Sequence, residues 1–165
     1  MLTIIQAVTP EQVDAVRELM REHIAFIVDS GAYLDDFPTF QELDTELAHL
    51  ATHYAPPDGR LMLAMVDATP AGCVALKRMD ATTGELKRMF VRPGYRGQGI
   101  AAALVEALLA EARAVGYRRV ALDTHVTMLA AQRLYRALGF ADAPPTPGFP
   151  PALRAQVVFM ARDLD

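Results

Sequence analysis

The sequence predicts a mixed α/β fold in a single domain spanning residues 1–165. Three observations predict it. Strand-like and helix-like segments run in the order β-α-α-β-β-β-α-β-α-loop-β, with hairpins first and crossovers later. The 165 residues are 52% hydrophobic, enough apolar material to fill one core. Glycines and prolines fall between the periodic segments, where turns and caps need them.

Each element has its own signal. Leu2 to Val8 is rich in β-branched and apolar types and reads as a strand. Thr9-Pro10-Glu11-Gln12 supplies an N-cap, a proline at the first helical position and a capping-box partner. Val13, Val16, Leu19, Met20, Ile24 and Ile27 follow at helical spacing, and Gly31 lies just beyond. A polar-aromatic loop from Ala32 to Pro38 leads to Thr39 and Glu42, a second capping box. Phe40, Leu43, Leu47 and Leu50 form one stripe of a second helix. Ala55-Pro56-Pro57-Asp58-Gly59 is a strong break. Leu61 to Val66 and Ala71 to Met79 read as a hairpin across Asp67 to Pro70. Asp80 to Gly84 turns the chain into a strand from Glu85 to Val91. A helix starts near Gly97 and ends at Val115, with Gly116 as its cap. Arg118 to Thr124 is a strand, and Thr127 to Leu138 is a helix closed by Gly139. Ala143 to Pro151 carries five prolines and is loop, and Leu153 to Ala161 is the last strand.

Composition narrows the function. Charged residues make up 22%, the net charge is -4 and the pI is near 5.5. That argues against a broad nucleic-acid or anionic-membrane surface. The most apolar segment, Ile100 to Ala110, is interrupted by Glu106, and no stretch reaches the ~20 residues of a membrane span. Met1 to Pro10 has no basic region before an apolar one, so no secretory signal is expected. The one cysteine, Cys73, cannot form an internal disulfide and reads as packed rather than nucleophilic. The expectation is a soluble cytoplasmic protein.

The most informative segment runs from Val91 through Arg92-Pro93-Gly94-Tyr95 to Arg96-Gly97-Gln98-Gly99-Ile100-Ala101, between a strand and a helix. Gly97 and Gly99 let the backbone bend and approach a ligand with no Cβ in the way. The opening helical turn leaves N–H groups without intrahelical partners, a site suited to a phosphate or pyrophosphate. Arg96 adds a permanent charge. Taken alone, the loop reads equally well as a simple turn.

The loop resembles the pyrophosphate loop of the GCN5-related N-acetyltransferase (GNAT) superfamily, Arg/Gln-x-x-Gly-x-Gly/Ala. A second segment, Ala131-Gln132-Arg133-Leu134-Tyr135-Arg136-Ala137-Leu138-Gly139-Phe140, is similar to that family's Ala-x-x-Leu-Tyr-x-x-x-Gly-Phe. The resemblance is specific from Glu85 to Phe140. It implies a GNAT-like acyl-CoA N-acyltransferase fold, with a mixed, mostly antiparallel sheet of about seven strands and about four helices. It also implies that Arg96, Gly97, Gln98, Gly99, Ile100 and Ala101 bind the pyrophosphate of acetyl-CoA. Phe90 and Val91 would offer backbone hydrogen bonds to the pantetheine arm. In the family this strand and the one ending near Thr124 splay apart to admit the thioester.

Acetyl transfer to an amine needs a neutral nucleophile, a donor to the carbonyl oxygen and a proton or charge partner for the thiolate. By the resemblance the attack is direct, in a ternary complex. Tyr135 stands at the family's tyrosine position, facing the CoA sulfur, and is the candidate general acid. Read without the motif, it is a core aromatic. Glu85 begins the strand leading to the loop and is the candidate general base, acting through water. A solvent-facing partner of Lys87 or Arg88 is the equal alternative. His125 is the second candidate base. Met128 stands where many members carry asparagine, so that contact to acetyl-CoA is lost or replaced, by Thr124 or Thr127.

The resemblance also places an acceptor opposite the CoA site, against Phe26 to Phe40 and Ala141 to Ala152. Asp29, Asp35, Asp36, Phe26, Tyr33 and Phe37 suit a cationic amine, or serve only as loop and cap residues. A small amine or amino-acid-like acceptor is expected, with a protein amine possible and a homodimer plausible. No metal is expected, since His49 and His53 lack further ligands at metal-binding spacing. Lys87, Arg88 and Arg92 lack the aromatic platform of a nucleic-acid site. Two other readings stay open. One is a non-catalytic acyl-CoA sensor of the same fold. The other is a dinucleotide-binding oxidoreductase unit, from Gly97-x-Gly99-x-x-Ala102 with Asp123.

Overall fold

The computed structural model describes residues 1–32 and 40–165. Its elements are β1 (Leu2–Gln6), α1 (Pro10–Ser30), α2 (Phe40–Ala48), α3 (Leu50–His53), β2 (Arg60–Val66), β3 (Thr69–Arg78) and β4 (Thr83–Val91). They continue with α4 (Ile100–Val115), β5 (Arg119–His125), α5 (Leu129–Ala137), β6 (Ala141–Asp142) and β7 (Val157–Asp163). The seven strands form one sheet in the order β1-β2-β3-β4-β5-β7-β6. Only the central β4–β5 pair is parallel, and the other pairs are antiparallel. The dinucleotide reading requires a doubly wound parallel sheet, so this topology overturns it.

Strand alternation sorts the core onto the two faces of the sheet. Leu61, Leu63, Cys73 and Ala75 pack under α1 and α3, with Val16, Leu19, Met20 and Leu50. Met62, Ala64, Val74 and Leu76 pack on the other face, under Leu104, Val105 and Leu108 of α4. A one-residue irregularity in β4 breaks the alternation. Cys73 pairs with Phe90 but Ala75 with Lys87, so two residues of β4 oppose Val74 alone. This is a β-bulge, and Arg88 within it has φ 57°. The bulge changes the phase, so Leu86 faces α4 while Phe90 faces α1.

Several boundaries differ from the sequence reading for local reasons. The capping box on Thr9 and Gln12 starts α1 as expected. The second helix breaks at His49 (φ -124°) into α2 and α3, although Leu43, Leu47 and Leu50 all stay buried. Helix α4 starts at Ile100 rather than Gly97, because Gly97 and Gly99 take positive φ. Thr127 does not open α5: its N–H donates to His125 Nδ1 at 3.2 Å, closing a turn. The last strand begins at Val157, because Pro151–Gln156 forms a 3-10 turn after Pro150. The short strand β6 carries too few residues to show a period. Among the described residues no helix is long and apolar enough to cross a membrane.

Candidate active site

Strands β4 and β5 pair only over Thr83 to Glu85 with Arg119 to Ala121. Both run on, to Val91 and His125, without further pairing to each other. The sheet therefore opens at its centre, and a cleft of about 1340 Å³ occupies the opening. Helices α1 and α2 wall one side, the α4 N-terminus and α5 the other, and Thr146 to Phe149 close an end.

The glycine loop forms one end of the cleft. Gly97 (φ 77°) and Gly99 (φ 79°) both lie in the left-handed region, and a Cβ built on either meets no atom within 4 Å. Gly99 is the N-cap of α4, and no side chain caps that helix. The first-turn N–H groups therefore have no side-chain cap, and a positive helix end lies behind them. That arrangement suits a phosphate or pyrophosphate. Gly97, Gly99, Ile100 and Ala101 line the cleft, whereas the Gln98 side chain is not among its walls. Arg96 lines the cleft as well. Its Nε donates to the Val91 carbonyl at 2.9 Å, and its guanidinium lies over the rings of Phe26 (4.8 Å) and Phe90 (5.8 Å). Through Nε the side chain braces the strand–loop junction.

Tyr135 of α5 lines the cleft, is 5% exposed and packs on Phe140 at 5.7 Å between centroids. Burial, and then the Asp123 carboxylate, push its pKa above the ordinary phenol value. Glu85 lies at the point where the strands part, with its carboxylate 3.6 Å from Lys87 Nζ. The expected pairing with Lys87 is thus present, yet Glu85 also lines the cleft. His125 lines it too, with Nδ1 2.8 Å from the Thr127 hydroxyl.

The sequence assigns Asp123 a role only in the dinucleotide reading, and the structure brings it into the cleft beside Glu85. It lies beyond the last β4–β5 pair, on the same face as Glu85. Its side chain is exposed into the open cleft, where partial desolvation by the walls, then the Glu85 charge, raises its pKa. Two carboxylates thus meet near Tyr135. Sequence spacing could have hinted at it: Asp123 and Ala121 share a face of β5, and Ala121 pairs with Glu85.

The opposite wall holds groups that the sequence did not connect. Glu46 of α2 accepts from Arg88 Nε (2.7 Å), Arg88 Nη2 (2.9 Å) and the Tyr54 hydroxyl (2.9 Å). Burial opposes its charge, but the hydrogen bonds and charge of Arg88, then Tyr54, hold its pKa at about 2. His23 stacks on Phe90 at 5.4 Å, and its Nδ1 is sealed without a hydrogen-bond partner. Burial first, then the charges of Arg88 and Arg96, lower its pKa to about 4. His53 lines the cleft 3.6 Å from Glu46, whereas His49 does not line it. Among the described residues no group of His, Cys, Asp and Glu is placed to hold a metal. Cys73 is fully buried, and burial pushes its thiol up to about 12. Thr124, Thr127 and Met128 all line the cleft, and Gln132 Nε2 holds the turn before α5, donating to the His125 and Val126 carbonyls. Tyr33, Asp35, Asp36, Phe37 and the Thr39 cap lie outside the described residues.

The geometry agrees with what this chain is similar to. A family model described as "Acetyltransferase (GNAT) family" matches residues 20–140. An uncharacterized N-acetyltransferase of Schizosaccharomyces pombe is 34% identical, over 82% of this chain and 80% of its own. An IAA acetyltransferase of Azospirillum brasilense is 40% identical, over 74% of this chain and 78% of its own. Among solved structures, a GNAT-family acetyltransferase from Staphylococcus aureus superposes with a TM-score of 0.79 at 20% identity, covering 100% of both chains. A PaiA N-acetyltransferase from Thermoplasma acidophilum, in complex with coenzyme A, superposes with a TM-score of 0.73 at 18% identity, covering 99% of both.

Proposed function

The chain belongs to the GNAT acetyltransferase family, and from that premise we propose that it transfers the acetyl group of acetyl-CoA to a primary amine by direct attack. The acceptor is a small amine or an amino-acid-like molecule. The observation that carries the reading is the central opening of the sheet. There, the uncapped N-terminus of α4, the β4 backbone and Tyr135 face one cleft. A neighbour of the same fold is a coenzyme A complex, which supports acetyl-CoA as the donor.

Acetyl-CoA supplies the activated acyl group. The residues of the chain do the rest. The Gly97 to Ala101 amides hold the pyrophosphate, and the edge of β4 at Phe90 and Val91 orients the pantetheine arm. An amine with a pKa of about 10 must lose a proton to attack. The Glu85–Asp123 carboxylate pair takes that proton, directly or through a water in the cleft. As the C–N bond forms and the C–S bond breaks, the Tyr135 hydroxyl donates to the departing sulfur and is reprotonated, through water in the cleft, by the second proton that the new amide nitrogen sheds. Its raised pKa keeps the phenol protonated until then. Burial of Glu46 against Arg88 and Tyr54 leaves that acid unable to compete as a base.

Calorimetric titration with acetyl-CoA, with NADH as control, tests the donor. A panel of free amino acids, polyamines and lysine peptides, followed by thiol release, then tests the acceptor. Selective acetyl-CoA binding with thiol release to a small amine is expected. Binding of NADH alone, or of neither, would overturn the reading.

A further inference from the structure

The bulge in β4 stands where the strand has lost support on one side and changed phase on the other. Beyond Glu85 it has no β5 partner, and between Lys87 and Phe90 its pairing to β3 is interrupted. The extra residue of a bulge leaves the ladder and bends the strand. Here that residue pair includes Arg88 with φ 57°. A long side chain adopts this conformation only when its surroundings over-determine it.

The surroundings that do so are visible. The Arg88 side chain is 16% exposed and meets the 9%-exposed Glu46 carboxylate through two nitrogens. The Tyr54 hydroxyl donates to the same carboxylate, and the Arg88 carbonyl receives a weak contact from Cys73 Sγ at 3.5 Å. Glu46 sits on α2, whose Glu42 and Thr45 also line the cleft. The pair therefore ties the acceptor wall to the strand that meets the thioester. A planar fork against a carboxylate fixes orientation as well as distance, which a lysine cannot do.

We propose that Arg88 is a positioning residue, which with Glu46 and Tyr54 locks the β4 bulge and so sets the Met89–Phe90 backbone against the cleft for acetyl transfer. This rests on the acetyltransferase reading. The lock takes no proton in the reaction: Glu46 stays ionised above pH 4, and Arg88 stays charged throughout.

The test uses Arg88→Lys, Glu46→Gln, Tyr54→Phe and the double variant Arg88→Met/Glu46→Met. Replacing both partners of a buried pair with apolar residues is often neutral for stability. The double variant should therefore stay folded, its midpoint lowered only by the Tyr54 hydroxyl that loses its acceptor, and still lose activity. With acetyl-CoA and the best acceptor of the panel, kcat should fall by roughly 10- to 100-fold, the scale of a small misplacement. Acetyl-CoA affinity by calorimetry should fall by no more than about tenfold, because the pyrophosphate loop is untouched and only the pantetheine contact at Phe90 is loosened. The pH limbs of the rate should not move. Amide exchange at Met89 and Phe90 should accelerate, modestly in Tyr54→Phe and more in the others, with no acceptor needed for that readout. A double variant with wild-type kcat, full rescue by lysine, a shifted pH limb or unchanged amide exchange would each overturn the proposal. A wild-type protein that binds no acetyl-CoA would instead remove the reading beneath it.

Discussion

Replacing Gly99 with valine separates a ligand-binding glycine from a structural one. At φ 79° an L-residue pays about 1–2 kcal/mol, more for a β-branched one. No atom lies within 4 Å of the new Cβ, so no clash adds to that cost. For a chain of this length 1–2 kcal/mol lowers the thermal midpoint by roughly 2–8 °C, and the protein should still fold. Binding should suffer more. The added methyls enter the space that the loop leaves open and turn the first α4 amides from their ligand. Charge-assisted hydrogen bonds are worth about 1.5–3 kcal/mol each, so losing two costs about 3–6 kcal/mol. That is a fall in acetyl-CoA affinity of roughly 10²- to 10⁴-fold. Gly72→Val is the contrast: its Cβ would meet the Phe90 carbonyl oxygen at 2.6 Å, so this variant should lose the fold itself. Calorimetry beside thermal unfolding reads both quantities. A folded Gly99→Val protein with wild-type acetyl-CoA affinity would refute the reasoning, because the loop would then be only a turn.

Further expectations concern the acid–base groups. Tyr135→Phe should lower kcat by roughly 10²- to 10⁴-fold with acetyl-CoA affinity nearly kept; unchanged turnover would remove Tyr135 from the chemistry. Asp123→Asn should lower kcat and alter the acidic limb of the pH–rate profile. A variant that is fully active, with an unmoved acidic limb, would count against this placement. His23 is depressed from 6.5 to about 4, so the unfolded chain binds its proton first as pH falls. Its contribution is complete above pH 6.5 and is lost between there and about 4, which amounts to roughly 2–3 kcal/mol by pH 4.5. Urea unfolding of wild type and His23→Gln at pH 7.5 and 4.5 should show the wild type losing that much more; equal losses would mean that His23 is not held neutral.

The sequence by itself determined the element order, because hydrophobic period, capping boxes and glycine stops are local properties of the chain. It also marked the glycine loop and Tyr135, since both lie in contiguous motifs whose spacing survives without knowledge of the fold. Only the tertiary structure decided the rest. The turn of Arg96 onto Phe26, and the meeting of Arg88 with Glu46, join residues far apart in the chain. Asp123 became a chemical group only when β4 and β5 parted beside it, leaving its carboxylate near Glu85 and Tyr135. The bulge shows the reason most plainly. Inserting one residue reverses which face each later side chain takes, and nothing in the composition of Leu86 to Val91 announces it. Local propensity chooses helix or strand, but which charges share a cleft depends on strand pairing and packing, which only the folded chain defines.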